Sequence, residues 1–257
     1  MNEKILERMH GIPGRVSYYY KDLITGKSAA HNEHEPLIAA SVIKIPVMIE
    51  LMRQLEEGSL DREMLIEVRD TDRVPICGVL TFFHTGTMLN PMDLCWLMIT
   101  ISDNMATNLL IDLLGIDNIN ATLRRLGLTD CILRRKLFEQ RSEYRALRNT
   151  ISAGEIGLLL EQMYRGELIS PQASKLMLDI LSAQQCSNKF PLLLPDIHIA
   201  HKTGEDDGIT HDCGIFYARR PFILCCCTNE VDTSPMNLLM AEIARDLCTE
   251  HGGPEEE

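Results

Sequence analysis

The sequence predicts an α/β fold of the α+β type, in which an antiparallel sheet is built from both ends of the chain and flanked by helices. Three observations predict it. Strand-like segments lie near both ends, apolar residues at helical spacing fill the middle, and turn residues separate the segments. We therefore predict a single domain over residues 1–257, with an α/β part at 1–37 and 198–257 and an inserted all-α part at 38–197.

The predicted strands are rich in β-branched and aromatic residues and are bounded by turn residues. Near the start of the chain, RVSYYYKDL and KSAAHN are joined by a turn at ITG. Near its end, DIHIAHKTG, DCGIFYA and FILCCCTNE are separated by the turn-like stretches EDDG and RRP. An amphipathic helix from about Pro235 to Thr249 follows the last of them.

The middle of the chain carries apolar residues at helical spacing. Gly58, Gly115 and Gly127 stand where helices are expected to end, and Ser152 and Ser170 are candidate N-caps. The predicted helices cover residues 41–56, 91–101, 104–114, 117–126, 152–164 and 171–183.

The charge and hydropathy of the chain limit its partners. Lys and Arg number 25 and Asp and Glu 37, so the formal net charge is −12. An acidic protein is a poor partner for nucleic acid or an anionic membrane, because both attract a basic surface. No apolar run approaches the ~18 residues of a membrane span, and the first residues do not resemble a signal peptide. A small-molecule substrate is the expected partner.

Nine cysteines are an odd number and lack the spacing of metal ligands. Three are consecutive, Cys225 to Cys227, and are expected to act as small buried apolar residues of a strand. So many free thiols favour the cytoplasm, with a secreted protein that has lost its leader as the alternative. His201, His211 and Cys213 do not form a recognisable ligand set, so no metal is predicted.

The stretch AASVIKIPVMIE places Ser41 and Lys44 three residues apart at the start of an apolar helix. Residues at this spacing share a helix face, so the Lys44 amine can reach the Ser41 hydroxyl. A desolvated lysine has a lowered pKa and can take the proton that keeps serine a weak nucleophile. Alternatively, Ser41 only caps the helix and Lys44 extends to the surface.

A second polar group, Ser102, Asp103 and Asn104, lies between two predicted helices. A hydroxyl there can relay a proton and an amide can bind a substrate carbonyl, although the same residues are also common helix caps. A third group, Lys202, Thr203 and Gly204, is predicted to end a strand before a turn. A cation and a hydroxyl beside a glycine suit a carboxylate-bearing ligand, and an exposed hairpin turn is the alternative.

Ser-x-x-Lys, Ser-Asp-Asn and Lys-Thr-Gly, in this chain order, are the signature of class A β-lactamases and penicillin-binding proteins. The chain resembles the class A β-lactamase family, which belongs to the penicillin-recognising serine hydrolases, over nearly its whole length. The resemblance implies a β-lactamase-like fold and an acyl-serine mechanism that needs no metal or organic cofactor.

The resemblance also implies roles for single residues. Ser41 would be the acylated nucleophile and Lys44 its general base. Ser102 would pass the proton to the leaving nitrogen, and Asn104 would bind the substrate amide. The third motif and its neighbour would complete the site: Lys202, Thr203 and Gly204 at the substrate carboxylate, and the backbone N–H groups of Ser41 and Glu205 as the oxyanion hole.

The loop RRKLFEQRSEYRALRNT departs from the family, whose deacylating glutamate lies in an Arg-x-Glu-x-x-Leu-Asn motif. An alignment that keeps the loop length places Arg135 on the motif arginine and Leu137 where the glutamate belongs, with Glu139 two residues later. An alternative alignment uses Glu143 but breaks the spacing to Asn149. Glu139 is therefore the first candidate for a deacylating base and Glu143 the second. Alternatively, both glutamates are ordinary loop charges, and the loop resembles that of β-lactamase-related hydrolases that lack the deacylating glutamate.

The sequence thus predicts a serine hydrolase that acts on β-lactams or on related small amides and esters that carry a carboxylate, and the expected biological role is antibiotic resistance. Three alternatives stay open. A peptidase or esterase would use the same residues, a glutaminase would share the Ser–Lys pair, and a covalent sensor of β-lactams would be acylated without turnover.

Overall fold

The fold was analysed in a computed structural model that describes residues 2–75, 77–139, 141 and 146–254. Its main sheet has five antiparallel strands, and the strands come from both ends of the chain, as predicted. The strands are β1 (Arg15–Asp22), β2 (Ser28–His31), β7 (Ile199–Asp206), β8 (Ile209–Phe216) and β9 (Phe222–Asn229). Their order in the sheet is β2-β1-β9-β8-β7.

The sheet separates two apolar cores. Every residue of β8 and β9 is buried, which explains why β9 begins with the continuous apolar run FILCCC. Cys225 and Cys227 belong to the core on the side of the inserted helices, and Cys226 belongs to the core on the opposite side. The three consecutive cysteines therefore behave as the small apolar residues that alternation along a strand predicts.

The helices cover both faces of the sheet. Helices α1 and α8 contribute to the core around Cys226, and the inserted helices enclose the other core. The helices are α1 (Asn2–Leu6), α2 (Lys44–Glu56), α3 (Pro91–Thr100), α4 (Asn104–Leu114), α5 (Ile116–Arg125), α6 (Ala153–Tyr164), α7 (Pro171–Ser182) and α8 (Thr233–Glu250).

Most of the predicted boundaries agree with these elements to within one or two residues. Ser152 and Ser170 are N-caps, since their side chains accept hydrogen bonds from the backbone N–H groups of Glu155 and Ala173. Two short ladders were not anticipated because their strands have only two residues each. They pair β3 (Leu37–Ile38) with β6 (Thr150–Ile151), and β4 (Ile66–Glu67) with β5 (Met88–Leu89).

Two local expectations were wrong. The Lys-Thr-Gly segment does not end its strand, because β7 continues to Asp206, which pairs with Ile209 across a tight turn at Gly208 (φ +64°). Ser41 is not the cap of α2. It lies inside a 3₁₀ helix, Ala40–Ile43, that leads directly into α2. Within the described ranges, no helix has both the length and the apolar character that crossing a membrane requires.

Candidate active site

The short helix that carries Ser41 is packed tightly between α2 and β7. Ala40, directly before the serine, has a left-handed backbone (φ +40°). A Cβ atom at Gly204 of β7 would lie 3.3 Å from the Ala40 Cβ and 2.9 Å from the His211 ring. Gly204 therefore acts by allowing close approach of β7 to the Ser41 segment, and a side chain there would push the two apart.

The Lys44 side chain is completely buried at the centre of a polar cluster. Its Nζ lies 2.9 Å from Ser41 Oγ and 3.0 Å from Ser102 Oγ. It also lies 2.7 Å from the Ser102 carbonyl oxygen and 2.9 Å from Asn104 Oδ1. The second motif is thus brought to the first across 58 residues of sequence.

A neutral amine can make three of these four contacts at one time. A carbonyl and an amide oxygen only accept, so the Ser102 backbone and Asn104 Oδ1 use two N–H groups of Lys44. A neutral amine has two such groups and one lone pair. The lone pair is then available to accept a proton from a serine hydroxyl, which is the function of a general base.

Burial and charge both favour the neutral form. Burial lowers the pKa of Lys44 well below its usual value, and the neighbouring charge of Lys202 lowers it further. Burial also lowers the pKa of Lys202, to about 8, so that this second lysine still carries positive charge at neutral pH. The two lysines therefore suit different roles, Lys44 as a base and Lys202 as a cation.

Ser102 lies between the two amines. Its Oγ accepts a hydrogen bond from Lys202 Nζ at 3.1 Å and contacts Lys44 Nζ. The residue has a left-handed backbone (φ +57°), which turns its carbonyl oxygen toward Lys44 and costs about 1–3 kcal/mol for a residue other than glycine. A hydroxyl between two amines is suited to relaying a proton between them and a leaving group.

Asp103 holds this strained turn in place. Its Oδ1 accepts from the Ala106 N–H and caps α4, and its Oδ2 accepts from the N–H groups of Val79 and Leu80 at 2.8 and 2.7 Å. Gly78 (φ +94°) passes so close to this carboxylate that a Cβ atom there would lie 2.1 Å from Oδ2. The sequence indicated Asp103 only as a cap, and the structure adds its link to residues 78–80.

Ser41 opens onto two adjoining cavities. One, of about 690 Å³, is also lined by Ser102, Asn104, Thr203 and Glu205. The other, of about 550 Å³, extends from Ser41 toward residues 135–139 of the loop. Lys202 reaches the first cavity through its hydrogen bond to Ser102. The first cavity therefore brings the predicted nucleophile together with Thr203, one of the residues predicted to bind a substrate carboxylate.

Glu205 contributes to this site through its position on β7. Its carboxylate accepts hydrogen bonds from Asn188 at 2.9 Å and from the buried Lys189. Partial burial of Glu205 raises the pKa of its carboxyl group, whereas the hydrogen bonds from Lys189 and Asn188 lower it. The hydrogen bonds outweigh the burial, so the pKa of Glu205 lies below its usual value. The backbone N–H is thus the predicted contribution of Glu205. Sequence reasoning missed Lys189, which lies in an irregular segment with no recognisable motif.

The loop beside Ser41 is attached to α4 by a reciprocal pair of hydrogen bonds. The Leu137 N–H donates to Asn108 Oδ1, and Asn108 Nδ2 donates to the Leu137 carbonyl oxygen, both at 2.9 Å. Asn149 Oδ1 accepts from the N–H of Arg135 at 3.1 Å, and its Nδ2 donates to the Arg135 carbonyl oxygen at 3.0 Å. Leu137 therefore occupies a fixed position on the wall of the cavity that contains Ser41.

The two candidate bases for deacylation are Glu139 and Glu143. Glu139 lines the same cavity as Ser41 and Leu137. Its carboxylate accepts hydrogen bonds from the Arg141 N–H at 3.1 Å and from the Arg141 guanidinium at 2.7 Å. Glu143 lies outside the described residues. Glu139 is thus near the cleft, in an ion pair.

The three residues considered as metal ligands are engaged elsewhere. His201 Nδ1 contacts Asp212 at 2.8 Å, and Cys213 contacts Cys227 at 3.6 Å. His211 accepts from the Thr228 N–H and contacts the Ile38 carbonyl oxygen, and burial lowers its pKa to about 4. In the part of the chain that the structure describes, no three His, Cys, Asp or Glu residues form a group that could hold a metal ion.

A buried, neutral lysine beside a serine at a cleft defines the class of serine hydrolases that use a Ser–Lys pair. Comparison with known proteins gives the family. The model of the beta-lactamase enzyme family matches residues 1–251, and the chain therefore belongs to this family. It is a serine hydrolase of the β-lactamase type, and the resemblance drawn from the three motifs is confirmed.

Individual relatives agree. The chain is 28% identical to a β-lactamase of Streptomyces fradiae over 264 aligned residues, which cover 95% of this chain and 83% of that protein. It is 28% identical to a β-lactamase of Rhodobacter capsulatus over 177 residues, 67% of this chain but only 59% of that protein. The crystal structure of a β-lactamase from Sphaerobacter thermophilus matches with a TM-score of 0.89, 28% identity and coverage of 98% and 97% of the two chains. The predicted fold is thereby confirmed.

Proposed function

We propose that this enzyme is acylated at Ser41 by β-lactams or related small amides and esters that carry a carboxylate. The observation that carries the proposal is the Lys44 amine, which is buried, neutral and 2.9 Å from Ser41 Oγ. Lys44 takes the hydroxyl proton as Oγ attacks the substrate carbonyl carbon. The backbone N–H groups of Ser41 and Glu205 bind the resulting oxyanion.

The proton then leaves by way of Ser102. The Ser102 hydroxyl donates a proton to the departing nitrogen and regains one from Lys44, which lies 3.0 Å away. The carbon–nitrogen bond breaks and an acyl ester on Ser41 remains. Lys202 and Thr203 bind the substrate carboxylate, and Asn104 binds the substrate amide.

We propose further that hydrolysis of this ester is slow. Attack by water needs a base within hydrogen-bond reach, ~2.6–3.2 Å, or one bridging water away. In the alignment that keeps the loop length, Leu137 stands at the position of the family's glutamate, and a leucine side chain has no basic group. Glu139, two residues later, is ion-paired with Arg141. This wall of the cleft favours the sensor-like alternative, a protein that holds its acyl group, over a fast lactamase.

Intact mass spectrometry over time after mixing with a penicillin tests both proposals. A persistent adduct of the penicillin's mass that maps to Ser41 is the expected result. A transient adduct would support acylation but contradict slow hydrolysis. The lack of an adduct with penicillin, and with a reactive ester that carries a carboxylate, would contradict acylation.

We also propose a reducing compartment, the cytoplasm, as the location. All nine cysteines are free thiols, and seven of them are buried. Thiol titration of freshly purified, denatured and non-reduced protein is expected to find nearly all nine. Several pairs found oxidised would favour a secreted protein instead.

A further inference from the structure

Two of the nine cysteines, Cys77 and Cys186, differ from the others in their surroundings. Both are partly exposed, whereas the other seven are buried in the cores. Both also line the cavity of about 690 Å³ that contains Ser41 and Ser102. The acylation mechanism gives neither thiol a task.

Cys77 is held against the turn that carries Ser102. Its carbonyl oxygen accepts a hydrogen bond from the Asn104 N–H at 3.1 Å, and its Sγ lies 3.8 Å from the Ile101 carbonyl oxygen. The neighbouring Gly78 is in close contact with Asp103, which fixes the path of the chain just after the thiol.

Cys186 is held against the same segment at the end of α3. The Gln185 N–H donates to the Thr100 carbonyl oxygen at 2.9 Å, and the Gln184 side chain donates to the Ile99 carbonyl oxygen at 2.8 Å. Gln184 Oε1 accepts from the Cys186 N–H at 3.0 Å. Both thiols are therefore attached to residues 99–104, and both lie at the cleft.

Both thiols also line the cavity beside Ser102, whose hydroxyl contacts Lys44 and Lys202. Both cysteines lie outside helices and strands, and a disulfide between them requires ~4.4–6.8 Å between their Cα atoms.

We propose that Cys77 and Cys186 are an oxidisable pair of thiols whose disulfide closes the cleft in front of Ser41 and Ser102. The oxidant is a peroxide. Each thiol first releases its proton. One thiolate attacks a peroxide oxygen and breaks the O–O bond, which gives a sulfenic acid and, from hydrogen peroxide, a hydroxide that takes up one of these protons to form water. The second thiolate attacks the sulfenic sulfur, the S–S bond forms, and a second hydroxide leaves and is protonated to water. The two thiols together lose two electrons and two protons.

The bond would cross the cavity that a substrate must enter. Cys77 and the segment that begins at Cys186, which both line the cavity, would be joined beside Ser102. Acylation would then fall, and a dithiol reductant would restore it. The thiols would thus make the enzyme active in a reducing environment and inactive under oxidative stress.

The test compares the full-length protein before and after hydrogen peroxide, and again after dithiothreitol. A peptide map without reduction is expected to show a Cys77–Cys186 link, and acylation by a fluorescent penicillin is expected to fall by about tenfold or more. Cys77→Ser and Cys186→Ser should each lose this sensitivity, measured as the ratio of rates within each variant. Cys248→Ala, which removes a buried thiol of α8, should keep it.

A peroxide-treated protein that lacks the link, or that carries it and is acylated as fast as before, would overturn the inference. The acylation rate as a readout rests on the proposed function, whereas the peptide map does not. If the reduced protein is not acylated, that result counts against the proposed function. The presence or absence of the Cys77–Cys186 link in the peptide map then tests the thiol pair on its own.

Discussion

The two walls of the cleft beside Ser41 are built differently. On the wall of Lys44 and Ser102, the polar side chains are buried and joined by a continuous hydrogen-bond network that also reaches Lys202. On the wall formed by the loop, Phe138 is 43% exposed and Leu137 faces the cavity with no polar side-chain atom.

This difference separates the two halves of the reaction. In the proposed mechanism the first wall supplies a base, a proton relay and a cation before the substrate arrives, so acylation would require little rearrangement. The second wall is held firmly through backbone contacts of Leu137 and Asn149, and the proposal of slow deacylation rests on Leu137, whose side chain has no basic group. We therefore expect the wall formed by the loop to be rigid without catalysing deacylation.

Removing the nucleophile gives the largest effect. Ser41→Ala should abolish covalent labelling by β-lactams and by fluorophosphonates, since no other group would be acylated. Ser41 is only partly buried, so the fold should be retained, which circular dichroism and thermal unfolding can check. Labelling that survives in a folded variant would exclude Ser41 as the nucleophile.

Replacing Lys44 by a residue that is always charged should give the next largest effect. Lys44→Arg should slow acylation by on the order of 10³-fold, because arginine stays protonated and cannot accept the Ser41 proton. The measurement is the rate of adduct formation under single-turnover conditions. A loss smaller than about tenfold, or ~1.4 kcal/mol of barrier, would show that Lys44 is not the base.

Adding a carboxylate to the wall formed by the loop should change deacylation. Leu137→Glu is expected to speed deacylation by on the order of 10²-fold and to leave acylation nearly unchanged, because the backbone at this position is fixed by Asn108. The rate of adduct decay is the readout. Glu139→Gln and Glu143→Gln are the controls, and each should change deacylation little.

A large, selective loss of deacylation in either glutamine variant would reverse the comparison. The loop would then contain its own working base, and the protein would be a true lactamase with a shifted glutamate.

The smallest expected effect concerns Lys202. The pKa of Lys202 is lowered to about 8 by burial, so its positive charge is present below that pH and lost above it. The second-order rate of acylation by a carboxylate-bearing substrate should therefore fall by about tenfold per pH unit above 8. Lys202→Arg stays charged and should remove this decline. A wild-type profile that stays flat to pH 10 would contradict the role of Lys202 as the substrate's cation.

Much of this protein could be predicted from local sequence. Alternating and helical apolar patterns, together with glycine and serine at the ends of elements, determine where strands and helices form, because these preferences act within one turn or one strand. The pairing of Ser41 with Lys44 is also local, since residues three positions apart in a helix share a face.

Only the tertiary structure decided what surrounds that pair. Ser102 contacts Lys44, and Lys202 contacts Ser102, across long stretches of chain. Burial of Lys44 and the charge of Lys202 lower the pKa of Lys44 in a way that no local pattern encodes. The loop alignment stayed open in the sequence because a glutamate can match a motif from several registers. The reciprocal bonds between Asn108 and Leu137 fix where residue 137 lies, and the sequence did not indicate them, since side-chain contacts between distant segments depend on packing and not on spacing.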